Sequence, residues 1–282
     1  MARAVTLSFA LLAPRRLLAV DPFEIQVYDG TANAPGQPGL ELHLNTVPNG
    51  RKSAPGPEVA PDRVTHLTLE PSFGMTPFWE IGGYFQTALR GDGTLTYAGI
   101  KLRSKFVVPF PEGVHYRLGV NVELSILPEA YDQSRFGSEI RPIACWENEH
   151  FIIAVNPIID ASLAAPDFAE GPSFEPALLA KAKIAGAVAL GVEYYGNFGP
   201  IAHVSPWEQQ EHYLYEVFDL LSVRDVELNA GVGEGLTNGS NRWTVKMIFG
   251  YVWDVGGGAS LGAQARHRGR AITRAARATA AE

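Results

Sequence analysis

Residues 242–253 read RWTVKMIFGYVW. Trp243, Val245, Met247, Phe249, Tyr251 and Trp253 fall on one parity, and Thr244, Lys246, Ile248, Gly250 and Val252 on the other. Side chains alternate across a strand, so a strand here presents one wholly apolar face tipped with aromatics. A half-buried strand of a soluble sandwich shares that alternation. This segment is also about as long as a strand that crosses a bilayer at a tilt, and its apolar face ends in aromatic rings.

The same period recurs along the chain. Leu40, Leu42 and Leu44 alternate with Glu41, His43 and Asn45, and Leu67, Leu69, Pro71, Phe73 and Met75 with Thr68, Glu70, Ser72 and Gly74. Trp79, Ile81 and Phe85 oppose Glu80, Tyr84 and Gln86; Ile100, Leu102, Phe106 and Val108 oppose Lys101, Arg103 and Lys105. Tyr116, Leu118, Val120, Val122, Leu124 and Ile126 oppose His115, Arg117, Asn121 and Glu123, the clearest alternation in the chain. Ile140, Pro142, Ala144 and Trp146 then oppose Glu139, Arg141 and Cys145, and Phe151, Ile153, Val155 and Pro157 oppose Ala154 and Asn156. Residues 177–192 are alanine-rich and open to a helical reading. The two-residue spacing of Lys181 and Lys183, with glycines at 186 and 191, favours two strands joined at Ala185 and Gly186. A strand over 213–221 has no assignable facing, because Glu216 and Asp219 fall on opposite phases.

From residue 39 onward this gives twelve strands. Long polar connections at 48–63, 128–137, 160–172 and 196–211 alternate with short turns, although those at 90–93 and 237–241 are shorter than the rule asks. Even strand number with long loops at one end and short turns at the other is the layout of an outer-membrane barrel. Phe23, Ile25 and Val27 also alternate. That extra segment would be a thirteenth strand and is assigned instead to a periplasmic piece, a lumen-inserted piece or an overlap at the seam.

The closing strand and the repeated alternation resemble a bacterial outer-membrane β-barrel. Segments such as EIRPIACW, FIIAVNPII and FEPALLAKAKI extend the resemblance, more loosely, to barrels proposed as transporters and found with aromatic-degradation pathways. The resemblance implies an all-β fold: a single transmembrane up-and-down antiparallel β-barrel of about twelve strands over 39–253. It implies residence in the outer membrane of a Gram-negative bacterium, contact with outer-membrane lipid, and recognition by the barrel-insertion machinery through the terminal strand ending at Trp253. The expected function is a channel or transporter for small solutes, apolar ones being one option, and not an enzyme. Two rivals are an outer-membrane enzyme with a rim-located site and a soluble lipid-carrying barrel. The second would have a polar outside and an apolar inside.

The ends differ from the body. Residues 1–20 carry Arg3, Arg15 and Arg16 around a short apolar run and read as a degenerate signal peptide. Residues 21–38 form an N-terminal segment. Residues 254–282 are glycine-rich, then alanine- and arginine-rich, and read as a solvated basic tail outside the fold. Outer-membrane barrels usually stop at the terminal aromatic, so this tail departs from the resemblance. What remains, 21–253, holds 15 basic and 28 acidic residues. So acidic a body excludes nucleic acid as a partner, since phosphate attraction supplies most non-specific affinity. A single cysteine, Cys145, excludes an internal disulfide framework.

No motif for a nucleophile, a phosphate loop or a metal site is present, so no catalytic residue, cofactor or metal is assigned. His43, His66 and His115 are expected at ordinary lumen or rim positions. The polar phase is more informative. Glu70, Glu80, Lys101, Arg103, Lys105, Arg117, Glu123, Glu139 and Arg141 share the face opposite the apolar one over five consecutive strands. They are expected to line the lumen, as a solute-selecting surface or, preferably, as a self-neutralising ion-pair network. Lys101, Arg103, Lys105 and Arg117 should contact Glu80, Glu123 or Glu139. Finally, Pro142, Pro157 and Pro176 sit on the apolar phase of three consecutive strands, toward the outside ends. Each removes a ladder donor, so together they predict a lateral notch in the wall.

Overall fold

The computed structural model describes residues 20–111, 113–184, 187–221 and 225–254. The signal-peptide reading of 1–19, the tail reading of 255–282 and the turn at Ala185 and Gly186 lie outside the described residues. Twelve strands run in chain order: β1 (Pro38–Asn49), β2 (Thr65–Thr76), β3 (Trp79–Leu89), β4 (Leu95–Val107), β5 (Tyr116–Ile126) and β6 (Phe136–Glu147), then β7 (Phe151–Ser162), β8 (Ser173–Ile184), β9 (Val188–Asn197), β10 (Glu211–Leu220), β11 (Val226–Gly235) and β12 (Trp243–Val252). Each pairs antiparallel with its sequence neighbours. β1 pairs antiparallel with β12, Leu40 opposite Tyr251 and Leu44 opposite Met247, and this closes the barrel. An antiparallel seam between first and last strands requires an even count, and closure leaves no free edge.

Period two sets the two faces of the wall. Leu69, Phe85, Leu102, Leu124, Ile140, Ile153, Leu190 and Phe249 are exposed on the outside, while Thr68, Gln86, Arg103, Glu123, Asn156, Glu193 and Lys246 are buried inside. This is the polarity of a barrel standing in lipid, and the reverse of a lipid carrier; it removes the soluble rival. Aromatic pairs mark both rims. Trp79 and Phe106 stack at 6.1 Å, and Tyr251 meets Trp253 at 5.1 Å, at the end with short turns. Phe85 and Tyr97 at 5.8 Å, with Phe174 and Phe198 at 5.7 Å, lie toward the end with long loops. β10 resolves the facing that the sequence leaves open. Tyr213, Tyr215 and Val217 are buried inside, Asp219 pairs with Lys181 at 2.7 Å, and Glu216 is exposed on the outer face.

Residues 20–37 form no strand, so the alternation of Phe23, Ile25 and Val27 does not make a thirteenth one. The segment runs inside the barrel, where Phe23, Ile25, Val27 and Tyr28 are all buried. It leaves against β2 before turning into β1. There Gly36 donates to the Gly74 carbonyl at 2.8 Å and Gly74 to the Gln37 carbonyl at 3.0 Å. A Cβ on Gly74 would lie 2.1 Å from the Ala34 carbonyl oxygen, so only glycine lets the two backbones approach this closely.

Candidate functional site

The barrel interior has a charged side and an apolar side. On the charged side, antiparallel register sets acids against bases: Glu80 faces Lys105, and Arg103 faces Glu123. Arg103 Nε donates to Glu70 Oε1 at 2.6 Å, and its Nη1 lies 2.8 Å from Glu80 Oε1. Lys105 reaches the same Glu80 oxygen at 2.9 Å. Lys101 lies 3.3 Å from Glu123 and 2.5 Å from Asp21. Arg141 grips Glu139 through Nε at 2.7 Å and approaches Glu24 at 3.2 Å. All nine charged residues singled out in the sequence stand on the inner face, in three groups of ion pairs: one around Arg103, one joining Lys101 and Arg141 through Glu24, and one around Arg117. One expected contact fails. Arg117, nearer the turn end, meets Asp29 at 2.9 Å and also Glu147, not Glu80, Glu123 or Glu139. Its acceptor comes from the N-terminal segment, which strand pairing alone could not supply.

A second ion cluster escaped the sequence reading. Lys181 lies 3.0 Å from Glu193 and 2.7 Å from Asp219, and Lys246 bonds the other Glu193 oxygen. Lys246 is visible as the lone charge on the inner phase of β12. Its partners come from β9 and the lumen, far off in sequence.

The N-terminal segment fills the space between the walls. Its main chain is held from all sides. Asn156 accepts the Tyr28 N–H at 2.7 Å and donates to the Tyr28 carbonyl at 3.0 Å. Lys246 donates to the Ile25 carbonyl at 3.0 Å, Arg141 to that of Gln26 at 3.2 Å, Thr68 to that of Phe23 at 3.0 Å and Asn45 to that of Pro22 at 3.0 Å. The Tyr28 ring lies between Arg141, 4.6 Å from its centroid, and Lys105, at 5.3 Å; its hydroxyl bonds that of Tyr84 at 2.7 Å. Two cavities flank the segment. Each holds about 20 Å³, room for about one water. Phe23, Glu24, Ile25, Val27 and Tyr28 of the segment are all buried within the lumen.

The apolar side lies on β6 to β10. Cys145, Ile152, Ala154, Ile158, Ala177, Leu179, Tyr195, Tyr213, Tyr215 and Val217 form one buried cluster with Ile25 and Val27 of the N-terminal segment. Sequence periodicity missed it because the inner phases of β7 and β8 mix Ile152, Ala154, Ile158, Ala177 and Leu179 with Asn156, Asp160, Glu175, Lys181 and Lys183, so no uninterrupted apolar inner stripe stands out.

The three prolines fall into one row. Pro157 is paired with Pro176. The β6–β7 register runs from Gly137↔Ser162 to Ile140↔Ile159 and resumes at Ala144↔Val155, so Pro142 stands opposite Pro157 inside a gap in the ladder. The β8–β9 ladder starts only at Ala177↔Tyr195. Beyond Pro176 it resumes out of step, with Phe174 donating to the Gly199 carbonyl at 3.1 Å. The expected position needs correcting for two of the three. Pro142 and Pro157 are mid-strand, and only Pro176 lies toward the loop end. One of the two cavities lies against both breaks, lined by Arg141, Ile158, Pro176 and Gly196 among others.

His43, His66 and His115 each make a local contact. His43 Nε2 lies 2.9 Å from Glu70, the buried His66 ring meets Phe23 edge-on at 4.6 Å, and His115 Nδ1 lies 2.8 Å from the Glu147 carbonyl. Glu41, His43 and Glu70 bring one ligand atom each within 4.8 Å of one another, a spacing that suits a divalent ion. Arg103 bonds Glu70 there and His43 lies between Glu70 and Glu41, so these side chains already pair with one another. His212, near the loop end, shares two bonds with Ser240, but both use the His212 main chain. Its imidazole bonds Tyr194 at 2.6 Å and Gln210 at 2.8 Å and activates no nucleophile.

Among solved structures the barrel is similar to the COG4313 outer membrane channel from Pseudomonas putida F1, with TM-score 0.58 and 12% identity over 82% of this chain and 100% of that one. It is also similar to the KdgM porin, with TM-score 0.51 and 7% identity over 77% of this chain and 99% of that one. At these identities the likeness is one of fold. No protein-family model matches the sequence, and no curated protein matches it.

Proposed function

We propose that this chain is an outer-membrane channel of a Gram-negative bacterium that passes small solutes, apolar ones included, and that its own N-terminal segment closes the lumen at rest. The observation that carries the reading is the row of Pro142, Pro157 and Pro176. A transmembrane wall normally pairs every backbone group, because an unpaired one in hydrocarbon costs several kcal/mol. At this row the ladder is interrupted in two places, beside a further gap at Pro71 between β2 and β3, and buried residues of the N-terminal segment lie behind it. A side route through the wall uses both features. The solute enters past the charged lining of Glu70, Glu80, Lys101, Arg103, Lys105, Arg117, Glu123, Glu139 and Arg141, and leaves toward lipid at the proline row. The likeness in fold to an outer membrane channel and a porin supports the reading. The short turns face the periplasm, and insertion is directed by the strand ending at Trp253. No enzyme activity is proposed, since the His212 imidazole is committed to Tyr194 and Gln210.

The test is uptake. The full chain is reconstituted in vesicles whose outer leaflet is lipopolysaccharide, which retards apolar solutes that phospholipid alone lets through, around an enzyme able to consume toluene, and toluene loss is followed against the same vesicles without protein. Faster loss with the barrel supports the proposal; equal loss removes it. Recovery of the native chain only in the soluble fraction of its host would remove the membrane assignment as well.

A further inference from the structure

We infer that the apolar side of the lumen is a binding site for one small uncharged apolar or aromatic molecule, and that Ile25 and Val27 occupy it as an attached stand-in. This rests on the channel reading and adds the site and the ligand class.

Four observations lead there. The first is location: the apolar cluster lines adjacent strands β6 to β10, on the inner side of the wall that carries both ladder breaks. A cavity at the edge of the N-terminal segment touches that wall at Ile158, Pro176 and Tyr195 and is bounded otherwise by charged groups such as Glu24, Glu139 and Arg141. The second is chemistry. Tyr195 donates to Glu193 at 2.6 Å, Tyr213 donates to Glu211 at 3.1 Å, and Tyr215 accepts from Thr244 at 2.6 Å. With their hydroxyls engaged, these tyrosines offer a ligand ring faces and edges; Tyr195 and Tyr215 already meet edge-to-face at 5.4 Å. A charged solute would find no free partner there and would lose its hydration.

The third observation is how the segment is held. Lys246, Arg141, Thr68 and Asn45 all bond its backbone carbonyls. Water can take over those bonds when the segment moves, at modest net cost per bond. What water cannot replace is the cover that Ile25 and Val27 give the apolar wall, because exposing that surface costs about 25 cal/mol per Å². A ligand of matching polarity can. Toluene carries as many carbons as those two side chains together. The fourth is contrast: ion pairs such as Arg103–Glu70 and Lys101–Glu123 line the opposite side, and Lys181, Glu193, Asp219 and Lys246 pair among themselves at the border of the apolar cluster, so that cluster is the surface left to an apolar solute.

Ligand and segment therefore compete for one surface, which ties solute arrival to opening of the lumen. The full-length barrel in lipid nanodiscs is subjected to amide hydrogen exchange with mass spectrometry, with toluene or D-glucose added. Toluene at about ten times its Kd should raise exchange of peptides covering residues 22–30 about tenfold, because it draws the displaced state by mass action. Glucose should leave them unchanged. Ile25→Ala/Val27→Ala should respond at lower toluene concentration. Leu179→Asp, checked for intact heat-modifiable migration, should lose the response. No toluene effect in the wild type overturns the inference, as does an equal effect of glucose or an undiminished response in a folded Leu179→Asp barrel. The uptake assay separates the two proposals. Release of the segment without uptake removes the channel and leaves the site, whereas uptake without release removes the site and leaves the channel.

Discussion

Arg103 shows how the interior carries so many charges. It bridges Glu70 at 2.6 Å and Glu80 at 2.8 Å, and each of these acids keeps a second partner, His43 at 2.9 Å and Lys105 at 2.9 Å. Breaking a buried pair typically costs 3–5 kcal/mol, because the remaining charge is stranded. The second partners soften that here, so Arg103→Met should cost about 3 kcal/mol, the lower end of that range. Adding Glu70→Leu should recover part of the loss, because the stranded carboxylate goes with it. Urea unfolding in micelles, followed by tryptophan fluorescence, measures both; a double variant weaker than the single by the full cost of Glu70→Leu alone would mean the two residues are not coupled. A second prediction concerns the loop after β1. Asp62 is hydrogen-bonded by Lys52 and by the Gly50 N–H, which holds its carboxyl below the ordinary aspartate range. A depressed folded pKa gives stability that is present above the unfolded value and is lost as pH falls through the folded one. Acidification past the aspartate range should therefore free the Gly50 amide to exchange while the barrel stays folded; amide exchange by NMR reads it, and a Gly50 rate that tracks pH only as free amides do would contradict it.

At the scale of elements the proline row sets the character of the wall. Restoring donors with Pro157→Val/Pro176→Val should close the ladder across β6 to β9. Amide exchange at 143 and 156–159 should then slow, and apolar uptake should fall, with insertion unchanged. If the double variant takes up toluene as fast as the wild type, the row is not the exit. This feature also marks how far the sequence could be read. The strands were legible wherever one face was polar, as on β4 and β5, because the register of a half-buried strand is fixed by its alternation. The prolines were legible as a cluster, since each lacks an N–H wherever it sits. That they share one row was not, because strand register depends on turn geometry and on the tilt that closes the barrel. The apolar side of the lumen was hidden for a different reason: Ile152, Ile158 and Leu179 share their inner phases with Asn156, Glu175 and Lys181, so no uninterrupted apolar inner stripe stands out. Arg117 was placed on the correct face but given the wrong partner, because Asp29 reaches it through space and not across a strand pair.

At the scale of the whole molecule, a barrel this well paired on the outside and this full on the inside should conduct little until its N-terminal segment moves. That segment is anchored at its start by Lys101, which meets Asp21 at 2.5 Å and Glu24 at 3.9 Å, and further along by Arg141 on Glu24 and Arg117 on Asp29. These contacts share one sign convention: the acid lies on the segment and the base on the wall. Reversing a wall charge therefore turns an anchor into a repulsion. Lys101→Glu would set a third carboxylate beside Asp21 and Glu24 and next to Glu123, and like charges so close disfavour the docked state. In planar bilayers the wild type should show small, infrequent current steps. Lys101→Glu should open larger and longer ones, and Asp21→Lys/Lys101→Glu should return toward the wild type by restoring the pair with its charges exchanged. Added salt should narrow the gap between wild type and Lys101→Glu where water reaches the anchor, since screening acts on solvated charges. A wild type that conducts steadily, as an open porin would, defeats this picture of a closed lumen. A double variant that stays as open as Lys101→Glu would show that fold damage, not the Asp21–Lys101 contact, opened the barrel.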